Sequence, residues 1–182
     1  MKTGKLVKAI KKSKHLQVVK AVDENGAIFQ MVGYAGNLYR IENMPILNDI
    51  QMLTFLGMAK EDKGSLNYQE IDTQSKMFHD YYPGEKPVHW RTLMSDPNLK
   101  AFWEEEGTEC VPEFVSVDSF ELADITGSTQ AFFRGNENDM YIAIKEGLLL
   151  KALLPVCKVE MDGRLESLEL ERKLLERAKG RK

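Results

Sequence analysis

The pattern of apolar and polar positions predicts two clusters of short strands separated by a middle region. In the first cluster, apolar segments at 16–22, 27–32 and 38–41 alternate with polar turns. The first turn contains Asn25-Gly26, the dipeptide most typical of a tight hairpin. We therefore expect a three-stranded β-meander in this part of the chain.

A second meander is expected from segments 130–133, 140–144 and 148–154, which are separated by turn residues and end at Pro155. The last segment is also compatible with a short helix, although its length and the preceding glycine favour a strand. An additional strand is expected at 114–120, and residues 87–94 have mixed strand character.

Helix signals follow the first meander and recur in the middle region. Asn48 and Gln51 have the spacing of a capping box before the apolar run 50–58, which predicts a helix buried on nearly its whole circumference. Residues 72–82 are compatible with a helix that ends at Pro83-Gly84. Residues 96–107 predict another, with Asp96 as the cap and Pro97 at the first helical position.

Together these elements predict an α+β fold. We expect an antiparallel sheet built from two β-meanders, each followed by a helix, with a helical middle region. The second of these helices is predicted over 162–179, where leucines share one broad face. Residues 1–15 are expected to form a basic N-terminal arm and residues 16–182 a single domain. That domain would contain two β-β-β-α units, 16–60 and 128–180, around a helical insert.

Charge is distributed unevenly along the 182 residues, although the net charge is only −3. Residues 1–20 contain seven lysines and no acidic residue, whereas residues 21–160 contain 11 basic and 23 acidic residues. The basic start could contact phosphate, but the acidic body would repel a nucleic acid. This asymmetry disfavours specific nucleic-acid recognition by the chain alone.

Cysteine content and hydropathy indicate the compartment. Cys110 and Cys157 are too few for a secreted disulfide framework, so a cytoplasmic location is expected. No apolar run reaches the roughly 18 residues that span a bilayer, so no membrane association is expected. The common phosphate-binding, zinc-binding and nucleophile motifs are absent, and no metal or other cofactor is predicted.

The best catalytic candidates are His79, Asp80 and His89. An imidazole can act as a base near neutral pH, a carboxylate can orient it, and both can bind a metal. The alternative is that the two histidines are loop residues among packed aromatic side chains. If the first interpretation holds, the chain is a metal-assisted hydrolase.

An acidic cluster beside aromatic residues is the strongest candidate for a binding surface. Acidic side chains next to a tryptophan can dock on a basic partner, because charge steers the encounter and the ring is buried. The alternative is a solvated acidic helix end with the tryptophan in the core. The predicted partner-binding residues are Trp103, Glu104, Glu105, Glu106, Glu109 and Glu113.

The N-terminal lysines define a third candidate site, which would bind nucleic acid weakly through phosphate contacts. Its residues are Lys2, Lys5, Lys8, Lys11, Lys12 and Lys14.

The leading functional hypothesis is a non-enzymatic protein that regulates or inhibits a larger, basic protein or nucleoprotein complex. A phage- or plasmid-borne inhibitor of the anti-CRISPR kind is one concrete form of it. The metal-assisted hydrolase and the nucleic-acid-associated protein remain as alternatives. The leucine face of the C-terminal helix would also allow a homo-oligomer.

Overall fold

The computed structural model describes residues 2–93, 96–104, 113–136 and 139–157. Within these residues the main element is a ten-stranded mixed sheet. The α-helices are α1 (Thr3–Ser13), α2 (Asp49–Phe55) and α3 (Val117–Leu122), and two short 3-10 helices span Lys60–Ser65 and Lys76–Phe78. The strands are β1 (His15–Val22), β2 (Ile28–Tyr34), β3 (Asn37–Ile41), β4 (Asn67–Thr73), β5 (Lys86–Thr92), β6 (Leu99–Glu104), β7 (Glu113–Ser116), β8 (Thr129–Asn136), β9 (Asp139–Glu146) and β10 (Leu149–Pro155).

The strand order is β4-β1-β2-β3-β10-β9-β8-β5-β6-β7. Strands β1 and β4 are parallel, and every other neighbouring pair is antiparallel. The predicted architecture, an antiparallel sheet of two meanders each followed by a helix, is therefore wrong. The middle region contributes four strands to the sheet instead of a helical insert, and one of them makes the sheet mixed.

Both meanders are confirmed as elements. Strands β1, β2 and β3 pair in sequence order, as do β8, β9 and β10. Segment 148–154 forms a strand rather than a helix, because it pairs with β9 on one side and β3 on the other. The contact between β3 and β10 joins the two meanders into one continuous sheet.

The predicted helix at 96–107 is wrong, since residues 99–104 form β6 between β5 and β7. The side chain of Asp96 does accept a backbone hydrogen bond, but the donor is the N–H of Asn98, at 3.1 Å, within a turn. Residues that cap helices serve turns equally well, because the same short side chain satisfies a nearby N–H in either structure. Because β6 pairs with a strand on each of its edges, the segment forms a strand rather than a helix.

Two further predictions for the middle of the chain are also wrong. Segment 72–82 contains the end of β4 and a short 3-10 helix in place of an α-helix. Segment 114–120 is split between β7 and α3, so only its first half is a strand.

Helix α2 begins where the capping box predicts. The Asn48 side chain accepts a hydrogen bond from the N–H of Gln51, and the Gln51 side chain accepts one from the N–H of Asn48. The helix is not buried on all sides, because Ile50 is 54% exposed while Met52 and Leu53 are buried. The expectation that the helix is buried on nearly its whole circumference is therefore wrong, because one of its large apolar side chains lies at the surface.

The sheet buries apolar side chains on both faces. On the first face, side chains of nine strands and of all three helices form one core. On the second face, a smaller core includes Met31, Leu38 and Leu153, and it is covered by residues 74–85, which we call the strap. The strap connects β4 to β5, which lie far apart in the strand order, and so it crosses the central strands.

Residues 1–15, expected as a basic arm, contain helix α1, whose Leu6 and Ile10 are fully buried in the first-face core. The division into an arm and a single domain of residues 16–182 stays a prediction. The C-terminal helix predicted over 162–179 lies outside the described residues.

Candidate functional site

A buried charge network holds the strap against the sheet. The side chain of Arg134, on β8, is 0% exposed and donates to the backbone oxygens of Met77 and His79, at 2.7 and 2.8 Å. Glu85 accepts from Arg134 through one carboxylate oxygen and from Lys145 through the other, both at 2.5 Å. One carboxylate thus compensates two buried cations. Because Glu85 is the last residue of the strap, these ion pairs hold that end of the strap against β8 and β9.

Asp80 forms the second attachment of the strap. Its Oδ1 accepts hydrogen bonds from Nη1 of Arg40, at 2.6 Å, and from the backbone N–H of Leu150, at 2.8 Å. The guanidinium of Arg40 also lies 4.0 Å from the centre of the Phe29 ring. The Asp80 carboxylate therefore links the strap to β3 and β10.

The three catalytic candidates lie on two parts of the fold, the strap and β5. His79 and Asp80 lie in the strap, and the contacts of Asp80 are structural ones. His89 lies on β5, exposed, with its ring 6.1 Å from that of Trp103 on β6. Across the described ranges, no group of three or more His, Cys, Asp or Glu side chains is placed to hold a metal ion.

Replacing Asp80 with alanine is expected to lower the free energy of unfolding by about 2 kcal/mol, because Arg40 loses its partner and the Leu150 N–H its acceptor. Urea unfolding measures the change. The matched control is Asp72→Ala, which removes an exposed carboxylate from β4. Equal stability of the two variants would contradict the structural role assigned to Asp80.

A cluster of exposed apolar side chains lies at one end of the sheet. We call Ile28, Met44, Ile46 and Leu148 the hydrophobic patch. Each of them is more than 40% exposed, and Leu148 reaches 86%. Ile28, Met44 and Ile46 line a hollow of about 270 Å³, together with Leu149 at the start of β10. Leu148 precedes Leu149 in the β9–β10 turn and is not part of this lining.

The edge of the hydrophobic patch is acidic. Glu42 lines the hollow, and it shares the ammonium of Lys151 with Glu146, so the three groups together carry a net negative charge. Hydrogen bonds from Lys151, Thr126 and Ser128 lower the pKa of Glu146 below its ordinary value. Glu24 lies in the turn before Ile28 and accepts a hydrogen bond from the N–H of Asp80.

The acidic cluster predicted from the sequence is only partly described. Trp103 is partly buried, and Glu104 forms an ion pair with Lys86 at 3.0 Å. Burial raises the pKa of Glu113, which works against its charged form. Glu105, Glu106 and Glu109 lie outside the described residues, so docking through this cluster stays a prediction.

The six N-terminal lysines lie on helix α1 or directly beside its ends. Lys5 pairs with Glu121 and Lys11 with Asp62, both at 3.2 Å. The side chains of Lys2, Lys8, Lys12 and Lys14 are exposed. Their role in binding nucleic acid likewise stays a prediction.

Comparison with models of protein families, with curated proteins and with solved structures gives no match. None of the helices in the described part of the chain combines the length and the apolar character needed to cross a membrane.

Proposed function

We propose that the chain is a non-enzymatic binding protein that docks on a larger, basic protein through the hydrophobic patch. The single observation that carries this proposal is that Ile28, Met44 and Ile46 are left exposed around one hollow, with the exposed Leu148 in a turn at the same end of the sheet. Monomeric soluble proteins rarely expose contiguous apolar patches larger than a few hundred Å², and exposed apolar side chains grouped around a hollow are typical of interaction sites.

Charge around the hydrophobic patch supports a basic partner. Glu42 lines the hollow beside Arg40, whose charge Asp80 compensates, and Glu42 and Glu146 share a single ammonium, that of Lys151. The remaining negative charge suits a partner surface with an exposed apolar side chain flanked by lysine or arginine. Such charge complementarity raises the association rate, while burial of the apolar centre supplies the affinity. Regulation or inhibition of the partner is the consequence we propose, because an acidic surface can occupy a basic channel in place of phosphate.

The hydrolase hypothesis has less support from the contacts, because Asp80 holds the strap in place. The binding hypothesis needs no assembled catalytic group and uses side chains that are exposed already. The partner of the proposal remains a nucleic-acid-handling protein, since such proteins have extended basic surfaces.

Replacing Ile46 with serine is expected to weaken partner binding by about 3- to 8-fold. Ile46 is 41% exposed in the free chain, so docking can bury only that part of a side chain whose full burial contributes about 1.5–3 kcal/mol. The test compares how much of each protein in a source-cell lysate, treated with nuclease, is retained by the immobilised wild-type and variant chains. Ile71→Ser is the matched control, because Ile71 is 43% exposed against 41% for Ile46 but lies on edge strand β4.

A basic protein lost with Ile46→Ser and kept with Ile71→Ser supports the proposal. The charge-reversed variant Glu42→Lys, at the carboxylate that lines the hollow, should also reduce its retention. Equal retention by all variants would contradict docking through the hydrophobic patch. Self-association of the wild-type chain that Ile46→Ser abolishes would instead assign the patch to a homo-oligomer.

A further inference from the structure

A groove between α1 and α3 is distinct from the hydrophobic patch and has the opposite charge. It has a volume of about 610 Å³, within the range of pockets that hold small organic ligands. Lys5, Lys8 and Lys12 line it from α1, at spacings that place them on one face of the helix. Asp118 is the acidic residue among the described side chains of its lining.

Two of the three ammonium groups have no ion-pair partner among the described residues. Glu121 pairs with Lys5, but within the described residues neither Lys8 nor Lys12 forms an ion pair or a side-chain hydrogen bond. Both side chains are exposed along the groove, so each can donate to a bound anion. Charge-assisted hydrogen bonds from an ammonium to phosphate oxygens are stronger than those between neutral groups.

Hydroxyl groups line the same groove. Ser116 precedes α3 as its N-cap residue, yet its side chain makes no capping hydrogen bond. Tyr34 lies across from α3, with its hydroxyl oxygen 3.3 Å from Oγ of Ser119. Ala9 is partly exposed and, with the aliphatic stems of the lysines, adds apolar surface to the lining, whereas Leu122 is nearly fully buried. The groove thus combines phosphate-binding groups with a surface on which a flat, weakly polar ring can lie.

From this combination we propose that the groove binds a phosphorylated nucleoside, with Lys8 and Lys12 on the phosphates and the base against the apolar part of the lining. A free nucleotide fits better than a nucleic-acid strand. Residues 21–160 carry 23 acidic and 11 basic residues, which would repel a long polyanion. A small ligand senses only nearby charges, because salt screens interactions beyond about 8–10 Å.

The test is isothermal titration calorimetry of the full chain with ATP, adenosine and inorganic phosphate. We expect saturable binding of ATP at one site with a dissociation constant below about 1 mM, and weaker binding of adenosine and of phosphate. The double variant Lys8→Gln/Lys12→Gln should weaken ATP binding at least tenfold. Lys2→Gln/Lys14→Gln is the matched control, because it removes the same charge from lysines outside the groove, and its affinity should stay within about twofold of wild type.

Equal weakening by the two double variants would show non-specific attraction and overturn the proposal, as would the absence of saturable ATP binding. The groove would be reassigned to nucleic acid if a single-stranded oligonucleotide bound at least tenfold more tightly than ATP and the Lys8→Gln/Lys12→Gln variant lost that binding. The groove shares no lining residue with the hollow of the hydrophobic patch, so its failure leaves the proposed docking function untouched.

Discussion

Replacing Glu85 with glutamine is expected to lower the free energy of unfolding by about 3–5 kcal/mol. The carboxylate compensates Arg134 and Lys145, whose side chains are 0% and 5% exposed. Without its charge, the two buried cations lose the carboxylate they share and keep at most one amide oxygen between them, apart from the backbone oxygens of Met77 and His79 that Arg134 contacts. Native domains are stable by only about 5–15 kcal/mol, so this variant should lose a large part of its stability. Urea unfolding measures the change.

The matched control for this prediction is Glu121→Gln. Glu121 pairs with Lys5 at the surface, where both side chains are about half exposed, and such pairs contribute less than about 1 kcal/mol. Similar losses in the two glutamine variants would show that the charge network under the strap does not stabilise the fold as described.

Replacing Gly33 with alanine is expected to destabilise the protein by about 3 kcal/mol or more. A Cβ atom on Gly33 would lie 1.7 Å from the backbone oxygen of Asn37, inside the β2–β3 hairpin. Backbone atoms on both sides of the contact belong to paired strands, so relief requires the hairpin to shift. Such a shift would also disturb the contact between β3 and β10, which joins the two meanders.

Gly127→Ala provides the control for Gly33→Ala, because nothing lies within 4 Å of a Cβ atom at Gly127. We expect it to change the free energy of unfolding by less than about 1 kcal/mol. Thermal unfolding of both variants provides the comparison. A stable Gly33→Ala variant would show that the hairpin is less tightly closed than the structure describes.

The elements that were predictable from the sequence depend on neighbours in the chain. The turn at Asn25-Gly26 and the capping box of Asn48 and Gln51 involve residues at most a few positions apart, and both meanders follow from local alternation. The mixed sheet depends on pairing between distant segments, such as β4 with β1 and β6 with β7. Local signals at Asp96 and Pro97 favoured a helix, and strand pairing overrode them.

The sites were harder to predict for the same reason. The contact of Glu85 with Arg134 joins residues 49 positions apart, and nothing in the local sequence indicates it. The sequence indicates Asp80 as a carboxylate next to a histidine, but its partners Arg40 and Leu150 lie on distant strands. The apolar residues of the hydrophobic patch resemble core residues in the sequence, because exposure is decided by which segments pack over them. The lysines that line the groove, in contrast, are predictable as a candidate site, because their positive charge is concentrated in one short segment.

Site-specific photo-crosslinking tests docking through the hydrophobic patch most directly. Benzoylphenylalanine is placed at position 148, the most exposed residue of the hydrophobic patch, and at position 71 on β4 as the control. After irradiation in source cells, adducts are identified by mass spectrometry. We expect one major adduct from position 148, to a larger protein with a basic surface, and no adduct to that protein from position 71. The same adducts from both positions, or adducts only to a second copy of the chain, would contradict this expectation.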